Sequence, residues 1–267
     1  MCSRFLRTAF SLALLSLPLC AATVKVCADP HNLPFSNQQQ QGFENKIAKL
    51  LAHDLNANVS FEWQRMGRGF VRNVLNKGTC DVLLGVPVGM SGLLVTQPYY
   101  RSSYVFVQRA ETRPVQSLDD PSLQAKTIGV QILEEDYAPP ARALAHRGLT
   151  NNIRGFDMDE DPGAIIAAVA DRKIDVAIVW GPLAGYYAAL YRNHLRVRQV
   201  SPETDSAMLP MTYAIAAGVR KSAPDLYAQL STALQRERAP IQEILRSYHV
   251  PLLPLGKQPA PNAEGAP

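Results

Sequence analysis

Long apolar runs, an excess of one charge, spaced histidines and the common nucleotide or hydrolase motifs are all missing from this sequence, and each absence removes a class of function. Over 267 residues, 27 Lys and Arg stand against 23 Asp and Glu, a net charge of +4. Setting aside the first 22 residues, which hold Arg4 and Arg7 and no acid, leaves +2. That is too little to argue for nucleic acid or an anionic membrane surface as a partner. The apolar run Ala9 to Leu19 is shorter than the roughly 20 residues of a spanning helix, so no stable membrane insertion is expected. His31, His53, His146, His194 and His249 show no ligand spacing, which argues against zinc. CADPH lacks the second cysteine of a haem-attachment motif, and there is no Gly-x-Ser-x-Gly elbow, P-loop or dinucleotide fingerprint. In DMDEDPG, Asp157, Asp159 and Asp161 have the spacing of the first EF-hand ligands. Pro162 and Ala168 stand where that loop needs Gly and Glu, so the acids read as the start of a helix, where the macrodipole favours them. No cofactor and no metal is expected.

Cysteine is scarce as well, and its placement is informative. MCSRFLRTAFSLALLSLPLCAA has two arginines, an apolar stretch and small residues, the pattern of a secretory signal peptide cleaved after Ala22. Acylation at Cys20 is disfavoured by Leu19. Removing this segment takes Cys2 and Cys20 with it and leaves Cys27 and Cys80, which in an oxidising compartment are expected to form a disulfide. A reactive thiol is the alternative; Cys27, in an apolar strand, does not favour it.

What is present is a repeating strand and helix pattern. VKVCADPHNLPFSNQQQQGFENKIAKLLAHDL reads as a buried strand, a polar loop with proline, and a helix whose Ile47, Leu50, Leu51 and Leu55 form one apolar stripe. In such a unit the loop at the strand's carboxyl end lies beside the helix start, where open α/β sheets place ligands, so residues 29–43 are expected to form half of any cleft. NVSFEWQRM alternates as a strand, GRGFVRNVLNKG reads as a helix closed by Gly78, and TCDVLLGVPV suits a buried parallel strand. A second run follows: KTIGVQIL (strand), PPARALAHRGL (helix), NNIRGFDM (strand), DPGAIIAAVADRKI (helix) and DVAIVWGPL (strand). VLNKGTCDVLLGVPV and VADRKIDVAIVWGPL echo each other, with Asp81 and Asp175 heading matching strands, which predicts two similarly built lobes. RSSYVFVQRAE and MLPMTYAIAAGVR read as strands leading out of the first lobe and back. The helical run 223–250 then packs on the first lobe. The lobes are expected at 23–109 plus 212–250 and at 110–211, and the proline-bearing tail 251–267 is expected to be disordered.

The signal, the two α/β lobes and the two connecting strands resemble the periplasmic solute-binding proteins of the type found with amino-acid ABC transporters, which implies the type 2 periplasmic binding fold. The ligand residues do not follow the resemblance. Such binders have an Arg after the strand corresponding to DVLLGV, where this chain has PVGMSGLLVTQPYY and no Arg before Arg101. A Gly-Thr helix start in the second lobe is replaced by Gln131, Ile132, Leu133 and Glu134, and an Asp for the ammonium by Trp180. A free amino acid is therefore not the expected ligand. VCADPHNLPFSN, RGFVRNVLNKGTCDVLLGVP, PYYRSSYVFV and EDYAPPARALAHRGL resemble the binding-protein-like J proteins of methanol-oxidation gene clusters, the Mxa/Xox type. That resemblance implies a non-catalytic periplasmic accessory to a PQQ-dependent methanol or alcohol dehydrogenase or its c-type cytochrome. An ABC-type binder for a largely apolar or aromatic ligand is the alternative. The fold also hosts periplasmic dehydratases, for which Glu44 would supply an acid, but the cationic grip is absent. The expected cleft and partner-binding residues are Asp29, Asn32, Phe35, Phe43, Glu44, Arg68, Arg72, Tyr99, Tyr100, Gln131 and Trp180. Arg68 and Arg72, four apart on the expected helix, would form a basic lip, and the aromatics would line a wide apolar cleft.

Overall fold

A computed structural model describes residues 22–65, 70–133, 136–157, 161–206 and 209–255. The signal segment 1–21, Arg68, Glu134, Asp159 and residues 256–267 lie outside the described residues. β1 (Thr23–Ala28) leads through the polar loop to α1 (Phe43–Asp54), and β2 (Asn58–Trp63) runs parallel to β1 with Val26 facing Phe61. α1 can start where it does because residue 42 is glycine: a Cβ there would sit 2.0 Å from the Phe35 carbonyl oxygen. The buried Asn45 side chain then accepts from the Gly42 and Asn37 N–H groups at 3.1 and 3.2 Å, fixing the loop onto the helix.

The next segment departs from its sequence pattern. In place of a regular helix over residues 67–78, the described part is a five-residue π-helical turn, Val71–Leu75. It buries only Phe70, Val74 and Leu75, a single apolar contact onto the sheet face that carries Cys27 and Cys80 rather than a continuous stripe. Cys27 and Cys80 are disulfide-bonded with Cα atoms 5.4 Å apart, which removes the reactive-thiol alternative. β3 (Val82–Pro87) follows, parallel to β1.

β4 (Tyr100–Arg109) is the strand that connects the two halves. Its first residues pair with β9 (Thr212–Val219), Ser103 facing Thr212. From Tyr104 onward it pairs with β7 (Val176–Trp180) and β8 (Leu195–Gln199). The change of partner therefore falls at Ser103 and Tyr104, inside the strand. The second half holds β5 (Ile128–Leu133), α2 (Pro139–His146), β6 (Ile153–Asp157), α3 (Ala164–Ala170) and α4 (Gly181–Ala189). Along the sheet the order is β6-β5-β7-β4-β9-β3-β1-β2, with β8 also on β4. Parallel β1-β2-β3 and β5-β6-β7 sets thus meet across two antiparallel crossing strands. α5 (Pro224–Arg236) and α6 (Arg238–Ser247) return to cover α1, with Leu230, Leu234, Ile241 and Leu245 packed in one core with Phe43, Ile47 and Leu51.

The internal echo is a shared hydrogen-bond device. Asp81 accepts from the Lys25 N–H at 3.0 Å and from Arg220 at 3.1 Å. Asp175 accepts from the Thr127 N–H at 2.9 Å and meets Arg109 at 3.5 Å. Each aspartate clamps the head of its lobe's first strand to an arginine from a crossing strand.

Two readings need correction. GPL, read as the end of the strand that begins at Asp175, instead opens α4. Gly181 and Gly185 are required by close packing, since a Cβ would lie 2.6 Å from the Ser103 oxygen and 1.9 Å from the His249 oxygen. The start of the proline-bearing tail is also ordered: Ser102 Oγ donates to the Pro251 carbonyl at 2.7 Å and the Leu253 N–H to the Arg101 carbonyl at 2.9 Å. Proline lacks only a donor, and this contact uses its acceptor.

Candidate functional site

The strand crossing opens on one side into a cleft of about 440 Å³. The loop after β1 contributes Asn32 and Phe35, β3 contributes Gly85 and Pro87, and β5 contributes Gln131. Trp180 closes it from the end of β7, and Tyr104 and Tyr213 rise from the two crossing strands. These three rings touch one another edge-on, with centroids 5.5 Å (Tyr104–Trp180), 5.8 Å (Trp180–Tyr213) and 6.4 Å (Tyr104–Tyr213) apart. Burial raises the pKa of both tyrosines, so their hydroxyls are neutral.

Two helices begin at this cleft, and helix starts usually offer free N–H groups to an anion. Here the donors are depleted. α2 opens with Pro139 and Pro140, neither of which has an N–H. α4 has Pro182 in its first turn, and the Trp180 N–H ahead of it is taken by Gln131 Oε1 at 2.6 Å. Among the described residues none that lines the cleft is basic or acidic. The described lining offers a carboxylate no positive side chain, and two prolines remove donors from the start of α2.

The sequence-predicted residues separate into groups. Asn32, Phe35, Gln131 and Trp180 line the cleft. Asp29 and Glu44 lie one layer behind it. Asp29 Oδ1 accepts from the His31 N–H at 2.9 Å, and Ser36 Oγ bridges its backbone N–H and carbonyl. Glu44 is buried against Gly85, where a Cβ would meet its Oε1 at 2.5 Å. Burial first, and the negative Asp29 second, push the Glu44 pKa up from 4.5 to about 8.

Phe43, Tyr99 and Tyr100 are not cleft residues: they are 0, 3 and 2 % exposed and belong to the α1 core. Phe43 is held edge-on by Tyr100 at 6.3 Å, and the Tyr99 hydroxyl accepts from the Gly85 N–H at 3.1 Å. All three rings pack in the core beneath α1. Arg72 is exposed on the π-helical turn and is not among the described lining residues, and Arg68 lies outside the described residues. Asp161 Oδ1 accepts from the Gly163 N–H at 2.9 Å at the head of α3, a turn-capping role. Among the described residues no three His, Cys, Asp or Glu side chains gather as a metal site, and no helix is long and apolar enough to cross a membrane.

Tyr104 and Tyr213 were missed. The available signal was topological: each is an aromatic in a strand already read as connecting the lobes, and such strands form the cleft floor.

Comparisons with known proteins agree with this architecture. Residues 24–250 match the model for bacterial extracellular solute-binding proteins, family 3. The chain is similar to the MoxJ protein of Paracoccus denitrificans, 34% identical over 262 residues, covering 92% of this chain and 95% of that one. The crystal structure of XoxJ from Methylobacterium extorquens AM1 superposes with a TM-score of 0.71 and 36% identity, covering 86% of this chain and 99% of XoxJ. MxaJ from Methlophaga aminisulfidivorans MPT superposes with a TM-score of 0.74 and 26% identity, covering 86% and 100%.

Proposed function

Because the chain belongs to the bacterial extracellular solute-binding proteins of family 3, as a member of their MxaJ/XoxJ type, we propose that it is a non-catalytic periplasmic accessory protein of a methanol-oxidation system. In this reading the mature chain binds a PQQ-dependent methanol or alcohol dehydrogenase, or its c-type cytochrome, through the cleft and its rim, and helps assemble or activate it. The observation that carries the reading is the aromatic cleft whose described lining is uncharged and whose α2 start has two prolines in place of donors, because a transport receptor for amino acids needs the opposite. Phe35, Trp180, Tyr104 and Tyr213 are the rings placed to meet a partner, and aromatic anchors of this kind dominate protein interfaces. A catalytic role is disfavoured because Glu44 faces the cleft from behind Gly85 and no cationic side chain stands among the described lining residues.

The test is direct titration of the purified mature chain against the purified dehydrogenase and, separately, its cytochrome. The expected result is saturable binding to one of them, weakened by Trp180→Ala, and no rise in melting temperature with amino acids. A second reading, an ABC-type receptor for a free apolar or aromatic ligand, is favoured by the same rings. It would be supported by failure of both protein titrations together with a ligand-induced stabilisation of about 2.7 kcal/mol at a hundredfold excess over Kd.

A further inference from the structure

We infer that Gln131 selects what the cleft admits: its side-chain amide donates to an uncharged carbonyl oxygen, carried either by a free molecule or by the main chain of a partner's loop. This deepens the reading of the cleft as a recognition site and rests on that part of it alone.

The chemistry follows from one hydrogen bond. The Trp180 N–H is a donor, so the Gln131 atom 2.6 Å from it is the carbonyl oxygen Oε1. The other end of the amide is therefore Nε2, which has two N–H donors and no acceptor. Among the described residues nothing accepts from Nε2, although Gln131 is only 4 % exposed. The described side-chain atoms that are both unpartnered and sealed from any space are Asn45 Nδ2, Ser103 Oγ, Arg109 Nε and Ser231 Oγ. Gln131 Nε2 is not one of them, so it reaches open space, and the space that Gln131 lines is the cleft of about 440 Å³. The Tyr104 hydroxyl, on a residue 5 % exposed, is placed in the same way: without a described partner, outside the sealed set, and on the lining. A donor this deep in the protein is costly to leave unmade, so something in the cleft accepts from it.

What Nε2 can take is an acceptor, and the surroundings decide its charge. Among the described residues the lining holds no charged side chain, so an ion entering the cleft would give up its hydration with no opposite charge to replace it. Glu44, behind Gly85, is itself kept largely protonated at neutral pH by its burial. An uncharged carbonyl group meets each condition. Its oxygen accepts, it brings no charge, and the carbon that bears it can rest on the apolar side of the same lining, Phe35, Leu183 and Ile215. A zwitterion or a simple carboxylate fails the second condition, and a hydrocarbon leaves Nε2 unmade.

Three planar isosteres separate these demands. Benzamide has a carbonyl oxygen and no charge, benzoate has two acceptor oxygens and a negative charge, and benzamidinium has two donor nitrogens and a positive charge. In calorimetric titration of the disulfide-bonded mature chain at pH 7, benzamide is expected to bind at least about tenfold more tightly than either ion. Gln131→Glu keeps an oxygen for the Trp180 N–H and puts an oxygen where Nε2 was, so its preference is expected to pass to benzamidinium. Gln131→Met removes the donor and is expected to weaken benzamide by about tenfold with no gain for benzamidinium. Circular dichroism and thermal melts of both variants check the fold, and a merely structural Gln131 would lower all three probes together without changing their order. No saturation by benzamide at about 10 mM, equal affinity for benzamide and benzamidinium, or an unchanged order in Gln131→Glu overturns the inference. Repeating the dehydrogenase and cytochrome titrations with Gln131→Met identifies the source: a loss there as well assigns the carbonyl to the partner, and an unchanged affinity assigns it to a free molecule. If neither protein binds, the partner reading falls while the order of the three probes still decides this one.

Discussion

Removing the Cys27–Cys80 crosslink tests the packing of the first lobe quantitatively. The bond closes a loop of 53 positions that contains the end of β1, all of α1 and β2, and the π-helical turn. In the chain-entropy picture a loop of that length stabilises the folded state by about 4 kcal/mol. The sulfurs are 2 and 0 % exposed, within a cluster of Phe70, Val74, Leu75, Leu83, Val86 and Leu93. Trimming both to alanine therefore adds a packing loss of about 1 kcal/mol or more. At roughly 2–4 °C per kcal/mol for a chain of this size, Cys27→Ala/Cys80→Ala is expected to melt roughly 10–20 °C lower. Thermal melts of the oxidised protein, the reduced protein and the double variant separate the contributions, because reduction keeps the sulfurs and loses only the crosslink. Denatured, unreduced mature chain should show no titratable thiol. A drop of less than about 3 °C on full reduction would refute the reasoning: it would mean that residual contacts already restrict the unfolded chain as much as the disulfide does.

Glu44, protonated in the folded state up to about pH 8 and released at about 4.5 when unfolded, makes stability fall as pH rises between those values and level off above. Denaturant melts of Glu44→Gln should be flatter across that window by up to about 5 kcal/mol, and a parallel pH profile would remove Glu44 as the cause. Gly185→Leu would drive a side chain into the His249 carbonyl oxygen, which lies 1.9 Å from the Cβ position. Its predicted loss of about 3 kcal/mol or more in urea unfolding would be absent if α4 were free of the C-terminal segment. Asp175→Ala removes the acceptor of the Thr127 N–H and a partner of Arg109, whose side chain is 11 % exposed. Chemical denaturation should register about 1–3 kcal/mol.

The parts of the fold legible in the sequence are those where periodicity and burial coincide. α1 announces itself through Ile47 and Leu51, and β7 through the unbroken run Val176–Val179, fully buried as a central parallel strand requires. The segment around Arg72 was misread because its composition is helical, while the geometry asks it only to place Phe70, Val74 and Leu75 over the disulfide. α4 had no sign in the sequence, since a glycine demanded by Ser103 or His249, far away along the chain, has no local signature. At the site, strand ends gave Asn32, Phe35, Gln131 and Trp180. They could not say which of two consecutive tyrosines faces inward, and the register of β4 against β9 buries both Tyr99 and Tyr100.

That register also explains why the cleft is aromatic at its floor. β4 exchanges partners between Ser103 and Tyr104, so Tyr104 is its first residue to face β7, opposite Trp180. Tyr213, opposite Ser102, is one pair away on the returning strand. Three sheet segments therefore end or change direction within one residue of each other, and the backbone there cannot fill the gap between them. Large flat side chains that pack edge to face occupy it instead. The same rings also belong to the hydrophobic cores, Trp180 and Tyr213 lying against the cores of both halves and Tyr104 inside the core of the second. Recognition and the joint between the lobes thus use the same atoms. An occupant that reorients Trp180 must also alter packing in both lobes, and this couples whatever enters the cleft to the angle at which the two halves meet.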